Sequence, residues 1–239
     1  MLRLEIVTHC YKYARLLRYQ LSSLVLFPPC GIELTMTVLF KGNDLGTCDV
    51  LEWFGNQRTP NVRWNWVEME GNAIFRRSIG RNIAALASIA DWVWFCDADY
   101  WFTGKCWRAF DDVNLVESTL VFPKYVLLHK THQLGDACVS RVDEFSTLVE
   151  AQPEEFSAVR MRRAIGGIQI VKGEFCRRMG YLRGSRRFQK VPTQAGFLDT
   201  PDDVAFRRSI GTQGQAVDLP EVYRIRHSAK GRHDHSVTL

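Results

Sequence analysis

Five apolar residues in a row, Trp92-Val93-Trp94-Phe95-Cys96, run directly into Asp97-Ala98-Asp99. A short apolar run without polar alternation reads as a strand buried on both faces, which is the environment of a parallel sheet covered by helices. The preceding residues supply the other pieces. Residues 2–8 read as a buried strand. Residues 13–26 place Tyr13, Leu16, Leu17, Leu21, Leu24 and Val25 at helical spacing and stop before Pro28-Pro29. Residues 32–40 read as a second strand, ended by the turn signature Lys41-Gly42-Asn43-Asp44. A short helix at 49–56, a third strand at 62–69 and a helix at 74–90 complete the series. The order β-α-β-α-β-α-β predicts an α/β fold, a mostly parallel central sheet flanked by helices with right-handed crossovers.

The alternation weakens after residue 100. A helix is expected at 107–112 and a strand within 115–124, whereas 125–150 gives no clear period. Residues 166–171 read as a strand, 173–179 as a helix, 202–209 as a short helix and 222–228 as a last strand bearing His227. No composition shift marks a linker, so one domain over 1–239 is expected, with disorder confined to a tail at 231–239.

With 239 residues and 46% hydrophobic content the chain can bury a substantial core. The net charge is a mild +5, and it falls in doublets such as Arg76-Arg77, Arg177-Arg178 and Arg207-Arg208. These suit solvated helix faces or a surface that attracts anions: phosphates, a lipid phosphate or an acidic membrane. Nucleic acid is not expected, since no continuous basic helix, RNP-like motif or zinc finger is present. The seven cysteines are scattered without a CxxC pair, neither a disulfide framework nor a zinc-ribbon spacing, which fits a reducing cytoplasm. Arg3 and Glu5 interrupt the first apolar stretch, so no signal peptide is read there. No window has the ~18 apolar residues of a membrane helix. A cytoplasmic protein, at most peripheral to an inner membrane, is expected.

The chemistry centres on Asp97 and Asp99. In open α/β sheets ligands bind outside the carboxyl ends of strands, and these acids stand at such an end. One residue separates them, so in extended backbone both carboxylates face one side. Paired carboxylates suit a hard divalent cation, Mn²⁺ or Mg²⁺, that neutralises a departing diphosphate. A D-x-D triplet alone is weak, and its position after a buried fourth strand is what raises it. Two strand-end acids capping a turn is the plain alternative.

In these segments the chain resembles the GT-A-fold glycosyltransferases of the family 2 type. The likeness runs through residues 4–8 with the helix after them, Asn43-Asp44, Gly80-Arg81-Asn82, Trp94-Phe95-Cys96-Asp97-Ala98-Asp99, Ile165-Gly166-Gly167 with Arg178-Met179-Gly180-Tyr181, and Asp202-Asp203-Val204-Ala205-Phe206-Arg207-Arg208. It implies a GT-A (Rossmann-like) fold with a nucleotide-binding half at 1–100 and an acceptor-side half with a mixed sheet at 101–230. It implies that Asp44 and Arg81 contact the nucleoside near Thr8, His9 and Cys10. Asp97, Ala98 and Asp99 would bind donor and metal, with Asp99 the more direct ligand. Gly166 and Gly167 would let backbone approach the donor sugar, or simply form a turn. Asp203 would be the catalytic base, with Asp202 where the family has Glu. Asp202 also suits a helix N-cap. His227 resembles a further metal ligand, and His233 and His235 are a weaker pair in the tail.

The implied reaction takes a sugar from a nucleotide-sugar, UDP by default with GDP and dTDP open, to a glycan, lipid-linked or protein acceptor, and the resemblance favours inversion at the anomeric centre. Residues 184–200 are a candidate lid, while Trp101, Phe102 and Trp107 are expected in the core. Other classes remain: a nucleotidyltransferase, for which Thr8-His9-Cys10-Tyr11-Lys12-Tyr13 is not the expected phosphate loop; a two-carboxylate glycosidase using Asp99 and Asp203; and a non-enzymatic polyanion-binding module.

Overall fold

The computed structural model describes residues 1–114, 116–140, 146–197 and 200–228. The expected tail, with His233 and His235, lies outside the described residues. The first half follows the alternation read from the sequence: β1 (Leu2–His9), α1 (Ala14–Leu26), β2 (Ile32–Phe40), α2 (Leu45–Gly55), β3 (Val62–Glu68), α3 (Arg77–Ala87) and β4 (Trp92–Asp97). The second half adds β5 (Tyr100–Phe102), α4 (Gly104–Arg108), α5 (Phe110–Asn114), β6 (Leu120–Pro123), β7 (Tyr125–His129) and α6 (His132–Ser140). Then come β8 (Phe156–Arg160), β9 (Gln169–Lys172), α7 (Gly173–Met179), α8 (Arg186–Gln189), α9 (Asp202–Ile210), β10 (Gln215–Val217) and β11 (Val222–Arg224).

A seven-stranded sheet runs β10-β6-β9-β4-β1-β2-β3. Within it β9 alone runs antiparallel to its neighbours β4 and β6, and the other pairings are parallel. The apolar run is at the middle: β4 lies between β1 and β9, and Trp92, Val93, Trp94, Phe95 and Cys96 are all buried. That position explains why this strand has no polar alternation. A four-stranded sheet, β5-β11-β7-β8, mixes parallel and antiparallel pairs, as expected for the acceptor side. Its own apolar cluster includes Trp101 stacked on Tyr223, with ring centroids 4.0 Å apart, and Phe156. Trp101, Phe102 and Trp107 are core residues, as read.

Several boundaries differ for local reasons. Helix α2 begins at Leu45, before the expected 49, because Asp44 caps it by accepting from Thr47 N. The helix expected at 74–90 is a 3-10 turn at Ala73–Phe75 followed by α3, the two separated at Arg76, whose backbone is extended. Gly166 and Gly167 precede β9, which starts only at Gln169. Strand β11 stops at Arg224, so His227 lies beyond the strand expected to carry it.

Candidate active site

The carboxyl ends of β1 and β4 meet in register, with His9 opposite Asp97. Asp97 is held from α3. Its Oδ1 accepts from Arg81 Nη2 at 3.3 Å, and Arg77 Nη1 lies 3.8 Å away. Positions 77 and 81 are one helical turn apart and so share a face. The Arg81 side chain is almost wholly buried and also donates to Gly166 O at 2.9 Å and Tyr181 Oη at 3.1 Å. Tyr181 in turn donates to Gln169 Oε1 at 2.9 Å. A buried cation needs its donors used and an anion close: both terminal nitrogens of Arg81 are bonded and Asp97 is near, while Arg81 Nε has no partner among the described residues. Burial pushes the Tyr181 phenol up to about 12, against the pull of Arg81, so it remains a donor.

Asp99 has different company. Ala98 and Asp99 form a turn between β4 and β5, so the extended geometry expected to align the two acids does not hold there. Asp99 Oδ2 accepts from Arg224 Nε at 2.9 Å, and its main-chain oxygen accepts from Ile225 N at 2.8 Å. His227 Nε2 lies 4.0 Å from Asp99 Oδ2. The carboxylate of Asp99 holds the Arg224 charge well above its ordinary pKa.

The two glycines face these acids. A Cβ at Gly166 would lie 4.0 Å from both Asp203 Cβ and Asp97 Oδ2, so the glycine stands between the two carboxylate-bearing residues. At Gly167 a Cβ would meet the Tyr100 ring at 2.5 Å and Asp97 Oδ2 at 3.1 Å, leaving no room for a side chain. Asp203 in the first turn of α9 pairs with the buried Arg207 at 3.1 Å, one turn along. Asp202 does not cap its own helix: Pro201 holds that position without a side-chain bond. Instead Asp202 is buried and accepts from Ser78 N at 3.2 Å, serving the first turn of α3.

Asp44 is committed as well as exposed to the site. Its Oδ2 accepts from Lys12 N at 2.5 Å and Thr47 Oγ1 at 2.7 Å. A cavity of about 260 Å³ runs from Asp44 and Lys12 past Tyr13 and Val139 to His227. Residues 184–200 include α8 and two positions outside the described residues. Phe188 O accepts from Ser78 Oγ at 2.6 Å, and Phe197 lies under the Arg77 guanidinium at 5.3 Å.

Buried polar atoms without a hydrogen-bond partner cluster here: Thr8 Oγ1, both His9 ring nitrogens, Asp99 Oδ1, Asp202 Oδ1 and His227 Nδ1. Such atoms are costly unless something else meets them. Burial, then Arg81 and Arg77, holds the His9 pKa well below its usual value, so its imidazole is neutral. For a divalent cation, Asp99 Oδ1 and His227 Nδ1 are suitable open donors. Arg77, Tyr181, Gln169 and Arg224 escaped the sequence reading. The Arg77-x-x-x-Arg81 spacing was a legible signal, whereas the other three come from distant segments.

No protein-family model matches the sequence, and no curated protein matches it. Solved structures do match in shape. TarS 1-349 of S. aureus in complex with UDP-GlcNAc superposes with a TM-score of 0.62 at 13% identity, over 99% of this chain and 62% of that one. A mannosyltransferase from Pyrobaculum calidifontis, in complex with GDP-Man and Mn2+, gives a TM-score of 0.53 at 17% identity, over 93% of this chain and 56% of that one. The chain thus spans about three-fifths of the length of the structures it is similar to. With its mostly parallel sheet, its mixed second sheet and these neighbours, the chain has a GT-A-like fold.

Proposed function

We propose that the chain transfers a sugar from a nucleoside-diphosphate sugar to an acceptor hydroxyl, with inversion at the anomeric carbon. The observation that carries this is the set of unpartnered buried polar atoms on Thr8, His9, Asp99 and His227 at the carboxyl end of a GT-A-like sheet. Ligands of open α/β sheets bind at that end. The neighbours are named as complexes with nucleotide-sugars, UDP-GlcNAc for TarS and GDP-Man for the mannosyltransferase. UDP is the default donor base and GDP the second choice.

In this reading Thr8, His9 and Asp44 border the nucleoside. Arg81 fixes Asp97 and Gly166 relative to each other, and Arg77 adds positive charge beside the diphosphate. Asp97, Ala98 and Asp99 line the donor site. Asp99 and His227, with Asp97 beside them, would hold Mn²⁺ or Mg²⁺. Such an ion would neutralise charge on the leaving diphosphate. Gly166, between Asp97 and Asp203, would let backbone approach the sugar, and Gly167 lets the chain pass tightly against Tyr100 and Asp97.

Asp203 is the general base. Its side chain is 28% exposed, and it shares the Gly166 opening with Asp97. As the acceptor oxygen attacks the anomeric carbon from the face opposite the diphosphate, its proton passes to the Asp203 carboxylate. Arg207 orients that carboxylate. Asp202, buried against α3, positions rather than reacts. The acceptor is a glycan, a lipid-linked sugar or a protein. The exposed arginines suit peripheral contact with an anionic membrane, and a single domain over 1–239 carries the site.

Calorimetric titration with UDP, GDP and dTDP, each with and without Mn²⁺, tests this on wild type and Asp99→Ala. Metal-dependent binding of one nucleotide, lost in the variant, is expected. Absence of binding for all three with metal present overturns the proposal.

A further inference from the structure

A second group of metal-type ligands lies in the small sheet, away from Asp97 and Asp99. His129 ends β7, Cys138 is in the last turn of α6, and Glu155 closes the 3-10 turn just before β8. Their spacing in the chain carries no known signature. The topology gathers them: β7 pairs with β8 so that His129 stands opposite Phe156, the neighbour of Glu155, while α6 folds back over β7. His129 Nε2 lies 3.8 Å from Cys138 Sγ and 3.7 Å from Glu155 Oε2. All three ligand atoms lie within 4.8 Å of one another.

We propose that His129 Nε2, Cys138 Sγ and Glu155 Oε2 bind a zinc ion, with water in the fourth position. Tetrahedral zinc with bonds of about 2.0–2.3 Å places its ligand atoms roughly 3.3–3.7 Å apart, close to the two distances observed. The 3.7 Å nitrogen–oxygen separation is too long for a good hydrogen bond, while the 3.8 Å sulfur–nitrogen contact is within the reach of a weak one. The imidazole and thiol are buried, and Glu155 Oε2 is a buried oxygen without a hydrogen-bond partner among the described residues. A lone buried carboxylate oxygen beside a neutral ring is unfavourable, and a cation between them removes that cost.

The charges balance as well. On binding, the Cys138 thiol gives its proton to solvent and the thiolate bonds the metal. One thiolate and one carboxylate then cancel the charge of Zn²⁺. Sulfur and imidazole favour zinc over Mg²⁺ or Mn²⁺. The Glu155 side chain is 19% exposed, which opens the fourth position to water.

The site would anchor α6, and α6 grips the segment after β11. Asp136 accepts from Ser228 N and Ser228 Oγ, each at 2.7 Å, and Gly135 packs so tightly against the Arg226 carbonyl that no Cβ fits. His227 lies between those two contacts. The zinc would therefore support the Asp99 end of the cleft from behind, and the metal site itself stands independently of the proposed transferase reaction.

The test is Co²⁺ substitution in the full chain after metal removal by a chelator. Wild type is expected to show a thiolate-to-cobalt charge-transfer band and tetrahedral visible bands that saturate at one equivalent, both erased by Zn²⁺. Asp99→Asn should keep the band, because neither Asp99 nor its neighbour His227 supplies sulfur. Cys138→Ser should lose it and bind Zn²⁺ about 100-fold more weakly or worse, since even outer-shell changes cost 10–100-fold. A wild type without the band in excess Co²⁺, or a band that survives in Cys138→Ser, overturns the proposal. Should Cys138→Ser fail to fold, alkylation mapped on wild type decides instead: Zn²⁺ must protect Cys138, and equal labelling with and without zinc is the contrary result.

Discussion

Asp97 and Asp99 are one residue apart, yet they belong to opposite walls of the cleft. Asp97 is tied to the large sheet through Arg81, whose remaining donors fasten Gly166 and Tyr181. Asp99 is tied to the small sheet through Arg224, which is 37% exposed, and keeps one buried oxygen without a hydrogen-bond partner. The Asp97 carboxylate is engaged by arginines of α3, whereas Asp99 keeps an oxygen to spare. The difference teaches that a motif of two similar acids can divide its labour, one organising the site and one meeting the ligand.

The largest effect should come from breaking the Asp97 wall. Arg81→Leu leaves Asp97, Gly166 O and Tyr181 without their buried partner, and a loss of about 3–5 kcal/mol in urea denaturation is expected together with loss of donor binding. Asp99→Asn and Asp203→Asn should instead lower transfer by about 100-fold or more while changing stability by less than about 1 kcal/mol. If Arg81→Leu and Asp99→Asn proved equally destabilising, the contrast between the walls would be gone.

Gly167→Ala sharpens the comparison at the point where the Asp97 wall meets Tyr100. The added methyl has to displace the ring or Asp97, so a loss of about 1–3 kcal/mol is expected, with a raised KM for donor. An unchanged KM and unfolding midpoint would show that the ring yields freely.

The smallest effect concerns pH. The unfolded chain protonates His9 near pH ~6.5, whereas in the fold burial and the two arginines hold that pKa well below. Below ~6.5 the unfolded state therefore binds more protons, and stability falls as pH drops towards the folded value. The contribution is complete above ~6.5 and declines by at most about 1.4 kcal/mol per pH unit below it. Urea midpoints from pH 7.5 to 5.5 should show this slope, and His9→Asn should flatten it. An equal slope in both proteins would place the effect elsewhere.

Much of this was legible in the chain. Apolar runs without alternation and helical spacing between them fix a strand as fully buried and a helix as one-faced, so β1 to β4 and their helices followed from local pattern. Asp97 and Asp99 were read from their place at a strand end, and Arg81 and Asp203 from the family resemblance. The misreadings have physical causes. Asp202 looked like a cap because Pro-Asp-Asp begins a helix, but its carboxylate found a neighbouring helix with open N–H groups. Asp44 looked like a turn residue, and its side chain started α2 earlier.

What only the tertiary structure decided is what pairs across the chain. The short strands β5, β7, β8 and β11 have weak patterns of their own and exist because their edges satisfy one another's hydrogen bonds. Arg224 meets Asp99 across 125 positions, and Tyr181 meets Arg81 across 100. His129, Cys138 and Glu155 converge only through that small sheet and the helix laid over it. Residue pattern determined which segments are strands, which are helices and where charge stands at the sheet's edge. Packing determined which of those charges are spent on each other and which are left for a ligand, because that depends on distance in space and on burial, and neither is written in local order.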